Sequence, residues 1–236
     1  MSGQPIITPA PIAPAPITQE RIAEVDRWIA RHLLPEDAMM NAVLEANQRA
    51  GLQAIDVSPL HAGFLALLVH SIGARRVLEI GTLGGYSAIA MARALPEGGK
   101  VTTLEIDPRA AEVARANFAR ADVVKKVDLR LGAALDLLPV IAGEGHAFDM
   151  AFIDADKENN AAYADWAATL LRPGGLMIVD NVVREGRITD MDDHDIRVEG
   201  TRSLYAAMRM DRRFEATALQ LVGTKGWDGM LIARRL

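Results

Sequence analysis

The chain of 236 residues carries 26 lysines and arginines against 31 aspartates and glutamates, a formal net charge of −5, with half its residues hydrophobic and no cysteine. That length suits one generous α/β domain and is short for two. The acidic balance, without a basic cluster, argues against a nucleic-acid-binding face, and the lack of cysteine excludes disulfides, thiolate metal sites and a cysteine nucleophile.

Five of the eleven prolines, Pro5, Pro9, Pro11, Pro14 and Pro16, fall in the first sixteen residues. Their spacing favours an extended, polyproline-like arm over residues 1–17, either a flexible tail or an arm packed on a partner subunit. It does not read as a secretory signal, because the first positive side chain is Arg21 and no long apolar run precedes it. A cytoplasmic location is therefore expected. The longest apolar run, Gly63–Val69, is too short to cross a bilayer.

Residues 18–236 read as a single domain. From Thr18 the apolar residues Ile22, Val25, Trp28 and Ile29 recur at helical spacing, although Thr18 with Arg21 makes no capping box. So apolar a surface helix favours a partner, which motivates a homodimer. A second helix is predicted over Met39–Ala50, ending at Gly51, and a third from Ser58–Pro59 to Ile72, with serine as N-cap and proline at the first helical position. The rhythm then alternates. Strands are predicted at Arg76–Gly81, Val101–Ile106, Val127–Leu131, Phe148–Asp154 and Leu176–Asp180, with helices between them that include Tyr86–Leu95 and Pro108–Ala121. Such alternation implies a mostly parallel sheet covered on both faces. Phe214–Val222, a turn at Gly223–Gly226 and Gly229–Arg235 read as a closing antiparallel hairpin.

The first strand runs into Glu79-Ile80-Gly81-Thr82-Leu83-Gly84-Gly85-Tyr86-Ser87. Glycines at a strand-to-helix crossover let the backbone approach a ligand, although many α/β proteins place glycine there only to turn. Glu105 ends the second strand, 24 residues after Gly81, where a carboxylate can accept hydrogen bonds from a ribose diol. The loop lacks the G-x-G-x-x-G spacing that presents helix-end amides to a pyrophosphate. A cofactor with ribose but no pyrophosphate fits better, and S-adenosylmethionine is the common one. Tyr86 and Ser87 open the next helix, where they can hydrogen-bond its methionine carboxylate. A seven-stranded, Rossmann-like methyltransferase sheet with extra N-terminal helices therefore accounts for the pattern better than a plain dinucleotide fold.

The fourth strand delivers Asp154-Ala155-Asp156-Lys157 and the fifth Asp180-Asn181. Ligands bind outside the carboxyl ends of strands in open parallel sheets, so these residues should share one rim. Two carboxylates and an amide oxygen are hard donors that suit Mg²⁺ rather than zinc, and they leave about three octahedral positions for substrate oxygens and water. A phenol ionises near pKa ~10. A bound dication would stabilise its oxyanion and, acting on Lys157, favour the neutral, basic amine. Each residue alone has a plainer role: Asp154 meeting the cofactor ammonium, Asp180-Asn181 a turn, Lys157 a solvated helix residue.

Together, VLEIGTLGGYS, Glu105, FIDADKEN and IVDN in this order resemble the cation-dependent O-methyltransferases that include the catechol and caffeoyl-CoA enzymes. The resemblance runs from about Thr18 to the C-terminus. It implies Asp154, Asp180 and Asn181 as metal ligands and Lys157 as general base. Around the cofactor it implies Val57, Glu79, Gly81, Tyr86, Ser87, Glu105, Ala133 (near the adenine) and Asp154, with Val57 and Ser58 in a lid over the methionine end. The expected substrate is a small phenolic or catechol-like molecule.

The chain departs from the family at His61-Ala62-Gly63-Phe64, where a Glu-Gly-Gln-like stretch is common. It departs again at Leu204-Tyr205 in place of an asparagine, and at Val183-Arg184 in place of a tryptophan. Asp190-Met191-Asp192-Asp193-His194-Asp195 looks metal-rich but lacks the EF-hand glycine and terminal acid. A mobile acidic loop over the substrate is expected instead. Trp227 is read as either a pocket wall or a hairpin anchor, and Trp166 as core. Two other readings stay open: a metal-independent methyltransferase for another nucleophile, and a binding protein that keeps the cofactor pocket without turnover.

Overall fold

The computed structural model describes residues 17–236; the proline-rich arm lies outside the described residues. Helices α1 (Gln19–Leu33), α2 (Ala38–Arg49) and α3 (Pro59–Ser71) precede the sheet. There follow β1 (Arg76–Ile80), α4 (Tyr86–Ala94), β2 (Lys100–Glu105), α5 (Pro108–Arg120), β3 (Val127–Leu131), α6 (Ala134–Gly143), β4 (Phe148–Ile153), α7 (Asn160–Leu170), β5 (Leu171–Asp180), α8 (Ile196–Met210), β6 (Phe214–Gly223) and β7 (Gly226–Arg235). Side-chain caps begin several helices: Thr18 Oγ1 accepts from Arg21 N at 3.2 Å, Asp37 Oδ1 from Met40 N at 3.0 Å and Ser58 Oγ from His61 N at 3.2 Å.

The seven strands form one sheet in the order β3-β2-β1-β4-β5-β7-β6. Neighbours are parallel from β3 through β5, and β7 runs antiparallel to both β5 and β6. The parallel strands are covered on both faces, so their apolar residues form two cores. One centres on Leu65, Val77, Ile89, Met91, Met150 and Phe152, the other on Leu78, Ile80, Leu138, Ile153, Met177 and Leu204. Strand order reverses between β1 and β4, and this switch point opens a crevice at the carboxyl ends of the strands.

Two elements are longer than the sequence pattern suggests. β5 begins at Leu171, because Leu171 pairs with Phe148 before Arg172-Pro173-Gly174-Gly175 shifts the register. β7 begins at Gly226, which pairs with Gly223 across a two-residue turn. In both places glycine or proline reads as a break, yet the backbone stays in the ladder, through a register shift in β5 and in regular register in β7. Helix α1 buries no residue, and Trp28 remains 55% exposed. Its ties run to the hairpin turn, where Gln19 Nε2 donates to Gly223 O at 2.8 Å and Asp26 accepts from Thr224 N at 2.8 Å. Among the described residues no helix is long and apolar enough to cross a membrane.

Candidate active site

Two cavities meet at the carboxyl ends of β1, β4 and β5. The larger, about 740 Å³, runs along the glycine-rich turn after β1. The smaller, about 410 Å³, lies between the start of α3 and the β6–β7 hairpin. Ile55, Asp56, Val57, Asp154 and Asn181 line both. The segment before α3 thus roofs the junction, and the ends of β4 and β5 form its floor.

The turn along the larger cavity is held shut from below. Gly81 has φ +101°, and a side chain there would run into the Asp154 carbonyl, so glycine is what lets the ends of β1 and β4 close together. Leu83, at φ +48°, donates its N–H to Glu105 Oε2 at 2.7 Å. The other Glu105 oxygen accepts from Ile106 N and Asp107 N, both at 2.9 Å. Of the residues expected around a cofactor, Val57, Gly81, Tyr86, Ser87, Glu105, Ala133 and Asp154 all line this cavity.

Glu79 does not. It is fully buried one layer behind the wall, where its carboxylate accepts from Ser87 Oγ at 2.6 Å and Thr103 Oγ1 at 2.5 Å. On β1 it shares the face of Val77, beneath α4, so the side chain is enclosed against Ser87 and Thr103 rather than open to the crevice. Burial pushes this carboxyl up to about 8, against the lowering effect of the two hydroxyl donors.

At the floor, Lys157 is buried and donates from Nζ to Asp154 Oδ1 at 2.7 Å. The short 3₁₀ turn Lys157–Asn159 that carries it packs beneath α8, where a side chain on Gly200 would overlap the Lys157 carbonyl. Lys157 lines the larger cavity and Asp180 the smaller, with Asp154 common to both. Asn181 takes φ +63°, a left-handed turn that asparagine tolerates. Asp180 is buried, and its carboxyl is raised first by that burial and then by the neighbouring Asp154 charge. Two carboxylates and an amide are thus gathered in a poorly solvated site, with the Lys157 ammonium hydrogen-bonded to one of them. This donor set could hold a hard dication, which would relieve the carboxylate repulsion.

A model of the O-methyltransferase family matches residues 31–236. The chain belongs to that family. It is 47% identical over 210 residues to a catechol O-methyltransferase of Mycobacterium tuberculosis, covering 89% of this chain and 94% of that one. A catechol O-methyltransferase of Niastella koreensis is 44% identical over 210 residues, at 89% and 95% coverage. A crystal structure of the Bacillus cereus O-methyltransferase in complex with SAH superposes with a TM-score of 0.91 at 48% identity, covering 93% of this chain and all of that one. The protein is an S-adenosylmethionine-dependent O-methyltransferase with the seven-stranded fold read from its sequence.

The methyltransferase corrects one expectation. Asp190–Asp195 does not lie over the smaller cavity: none of its residues lines either cavity, while the following Ile196 and Arg197 border the larger one. Nor is the loop loose. Arg187 pairs with Asp193 at 2.7 Å and Asp195 at 3.2 Å, and the Arg202 guanidinium donates to the carbonyls of Arg187, Ile188, Asp190 and Asp193. Two of the four acids that looked metal-rich, Asp193 and Asp195, are thus paired with arginine, and among the described residues no group of three or more His, Cys, Asp or Glu side chains is arranged to hold a metal. Trp227 lines the smaller cavity and donates Nε1–H to Gln220 Oε1 at 3.1 Å, so it is both wall and hairpin anchor. Trp166 packs on the second core.

A buried polar relay escaped the sequence reading. Asn117 Nδ2 donates to Gly84 O and to Asn47 Oδ1, both at 2.9 Å, and Asn47 Nδ2 donates to Asp56 Oδ1 at 2.8 Å. Lys225, at the hairpin turn, reaches the Asp56 carbonyl. The relay ties the glycine-rich turn to the roof segment and the hairpin. Its sequence signal is a polar residue on an apolar helix stripe: Asn47 follows Met40 and Val43, and Asn117 follows Ala110 and Ala114.

Proposed function

We propose that the enzyme transfers the methyl group of S-adenosylmethionine to a hydroxyl of a small catechol-like or phenolic molecule, with a divalent cation chelating the acceptor. The observation that carries this reading is the pair of cavities sharing Asp154 and Asn181. S-adenosylmethionine would occupy the larger and the acceptor the smaller. Glu105 keeps one of its roughly four lone-pair sites, on Oε2, for a ribose hydroxyl beyond the three backbone donors it serves.

Asp154, Asp180 and Asn181 would hold the cation, Mg²⁺ by the hardness of its donors. When bound, it supplies Lewis-acid stabilisation of the acceptor oxyanion. Lys157 would serve as the general base that takes the hydroxyl proton. The acceptor oxygen then forms the new O–CH₃ bond as the S–CH₃ bond breaks, leaving a neutral thioether. The roof and floor hold donor and acceptor in line, which supplies much of the acceleration for a donor that is already cationic.

The wall chemistry favours a free catechol over a coenzyme A thioester. Asp26, Asp56, Asp154, Asp180, Glu185 and Asp228 line the smaller cavity with Lys225 as the single cationic chain, and that ammonium is spent on the Asp56 carbonyl. Phosphates brought to such a mouth meet like charge. Leu60, Phe64, Leu219, Val222 and Trp227 offer an aromatic ring its apolar contact. The exposed apolar side chains of α1, with Trp28 foremost, support a homodimer. Methyl transfer to a panel of catechols, hydroxycinnamoyl thioesters and flavonoids, with and without EDTA, tests the reading. Cation-dependent turnover of the free catechols is expected, and turnover indifferent to EDTA would replace it with the metal-independent alternative.

A further inference from the structure

His61 occupies the first turn of α3, where its own N–H is capped by Ser58 Oγ, and its ring lies edge-on to Phe152 with centroids 6.1 Å apart. Its two ring nitrogens have opposite surroundings. Nδ1 faces Asp180 Oδ2 at 3.6 Å, whereas Nε2 is enclosed and has no partner. A buried polar atom without a partner is uncommon in a native fold and asks for a reason. Direct base catalysis is a poor one, because an enclosed Nε2 cannot meet an acceptor hydroxyl. Soft coordination by the ring is equally unsuited to a hard oxygen site.

The tautomer that fits these surroundings carries its proton on Nδ1, the nitrogen that has a carboxylate in front of it, and leaves the enclosed Nε2 bare. Asp180 is then approached from both sides. Its Oδ1 accepts from the Asn181 backbone N–H at 2.9 Å, and its Oδ2 faces the imidazole. The 3.6 Å separation exceeds a hydrogen bond, and a shift of about 0.5 Å in either side chain would make one.

We propose that His61 is a positioning residue for the cation site: its Nδ1–H orients Asp180 Oδ2, so that with the Asn181 N–H on Oδ1 the carboxylate is held in one rotation toward Asp154 and Asn181. This rests on the cation site proposed above. Outer groups that hydrogen-bond a ligating carboxylate set its orientation and hence the affinity of the site. His61 thereby has a function at a position where the family resemblance leads one to expect an acidic or polar stretch.

The test is Mn²⁺ binding to the acceptor-free protein, followed by electron paramagnetic resonance, for the wild type, His61→Phe, His61→Asn and His61→Gln. Calorimetry with S-adenosylmethionine serves as the check on folding. His61→Phe should weaken Mn²⁺ about 10–100-fold while leaving S-adenosylmethionine affinity unchanged. His61→Asn, whose amide can place a donor near the position of Nδ1, should recover most of the loss. His61→Gln reaches the position of Nε2 instead and should not. If His61→Phe fails to fold, the contrast between asparagine and glutamine still decides. Wild-type affinity in His61→Phe, or equal affinity in the asparagine and glutamine variants, overturns the positioning role. Absence of Mn²⁺ binding by the wild type overturns the cation site itself and the inference with it.

Discussion

Leu83 and Glu105 join the glycine-rich turn to the end of β2: the backbone N–H of Leu83 donates to Glu105 Oε2 at 2.7 Å, with Leu83 in the left-handed region. One carboxylate therefore braces the turn while facing the cavity. Glu105→Ala should lose a charge-assisted acceptor for a ribose and release the turn together, weakening S-adenosylmethionine by about 1.5–3 kcal/mol from the hydrogen bonds alone. Glu105→Gln keeps one acceptor and should fall between. Calorimetry on the folded variants checks this, and unchanged affinity in Glu105→Ala would place the ribose elsewhere.

Glu79 supplies a pH prediction. Its carboxyl is pushed up from the ordinary 4.5 to about 8 by burial. Between those values the folded cofactor-free protein holds a proton that the unfolded chain has lost, so stability should fall as pH rises from about 4.5 to about 8. The raised Asp180 carboxyl acts in the same direction, so the wild type alone is not diagnostic. Glu79→Gln removes only the first contribution and should flatten the decline. Urea unfolding of both proteins across this window gives the two slopes; parallel slopes would mean that Glu79 is ionised in the folded state.

Much of this architecture is legible in the chain because it is governed by local rules. Ser58-Pro59 announces α3 through a cap and a preset φ, and the short apolar-rich stretches of β1 and β4, set between helical stretches, read as strands buried on both faces. The rim residues Asp154, Asp180 and Asn181 follow from strand ends alone. What is not legible depends on distant partners. Nothing local shows that Glu79 points inward to Ser87 and Thr103, or that Arg187 pairs with Asp193 and Asp195 while Arg202 holds the backbone carbonyls of the same loop. The Asn117–Asn47–Asp56 relay spans three separate elements, and His61 faces Asp180 only once the first turn of α3 reaches the end of β5.

The exposed face of α1 leads to a third expectation. Trp28 and Val25 stay about half exposed although both sit on the apolar stripe, and among the described residues Trp28 stacks on His32 alone, with ring centroids 3.9 Å apart. Light scattering should give twice the 25.5 kDa of one chain. Trp28→Glu should shift the protein toward monomer without loss of secondary structure, since no core residue is touched. Comparing the full chain with one beginning at Thr18 separates the helix from the proline-rich arm. A monomeric wild type ends the proposal.

The pairing of Lys157 with Asp154 makes the chemistry separable by mutation. Both flank the cavity junction, but one is proposed to carry the proton and the other the cation. Asp180→Ala leaves an incomplete ligand set, so excess Mg²⁺ should restore only part of its activity. Lys157→Ala should keep S-adenosylmethionine and bind cation at least as well as the wild type, because Asp154 loses the ammonium that competes for Oδ1 at 2.7 Å. Its rate should nevertheless fall about 10²–10⁴-fold, the usual worth of a positioned base. Raising the pH should recover part of that loss, since more acceptor then arrives as phenolate and needs no base. A Lys157→Ala variant that loses cation binding in parallel with rate would assign the lysine to holding the site together. Full wild-type activity in EDTA, with metal analysis showing none retained, would remove the cation from the mechanism and leave Asp180 and Asn181 as structural groups of the acceptor cavity.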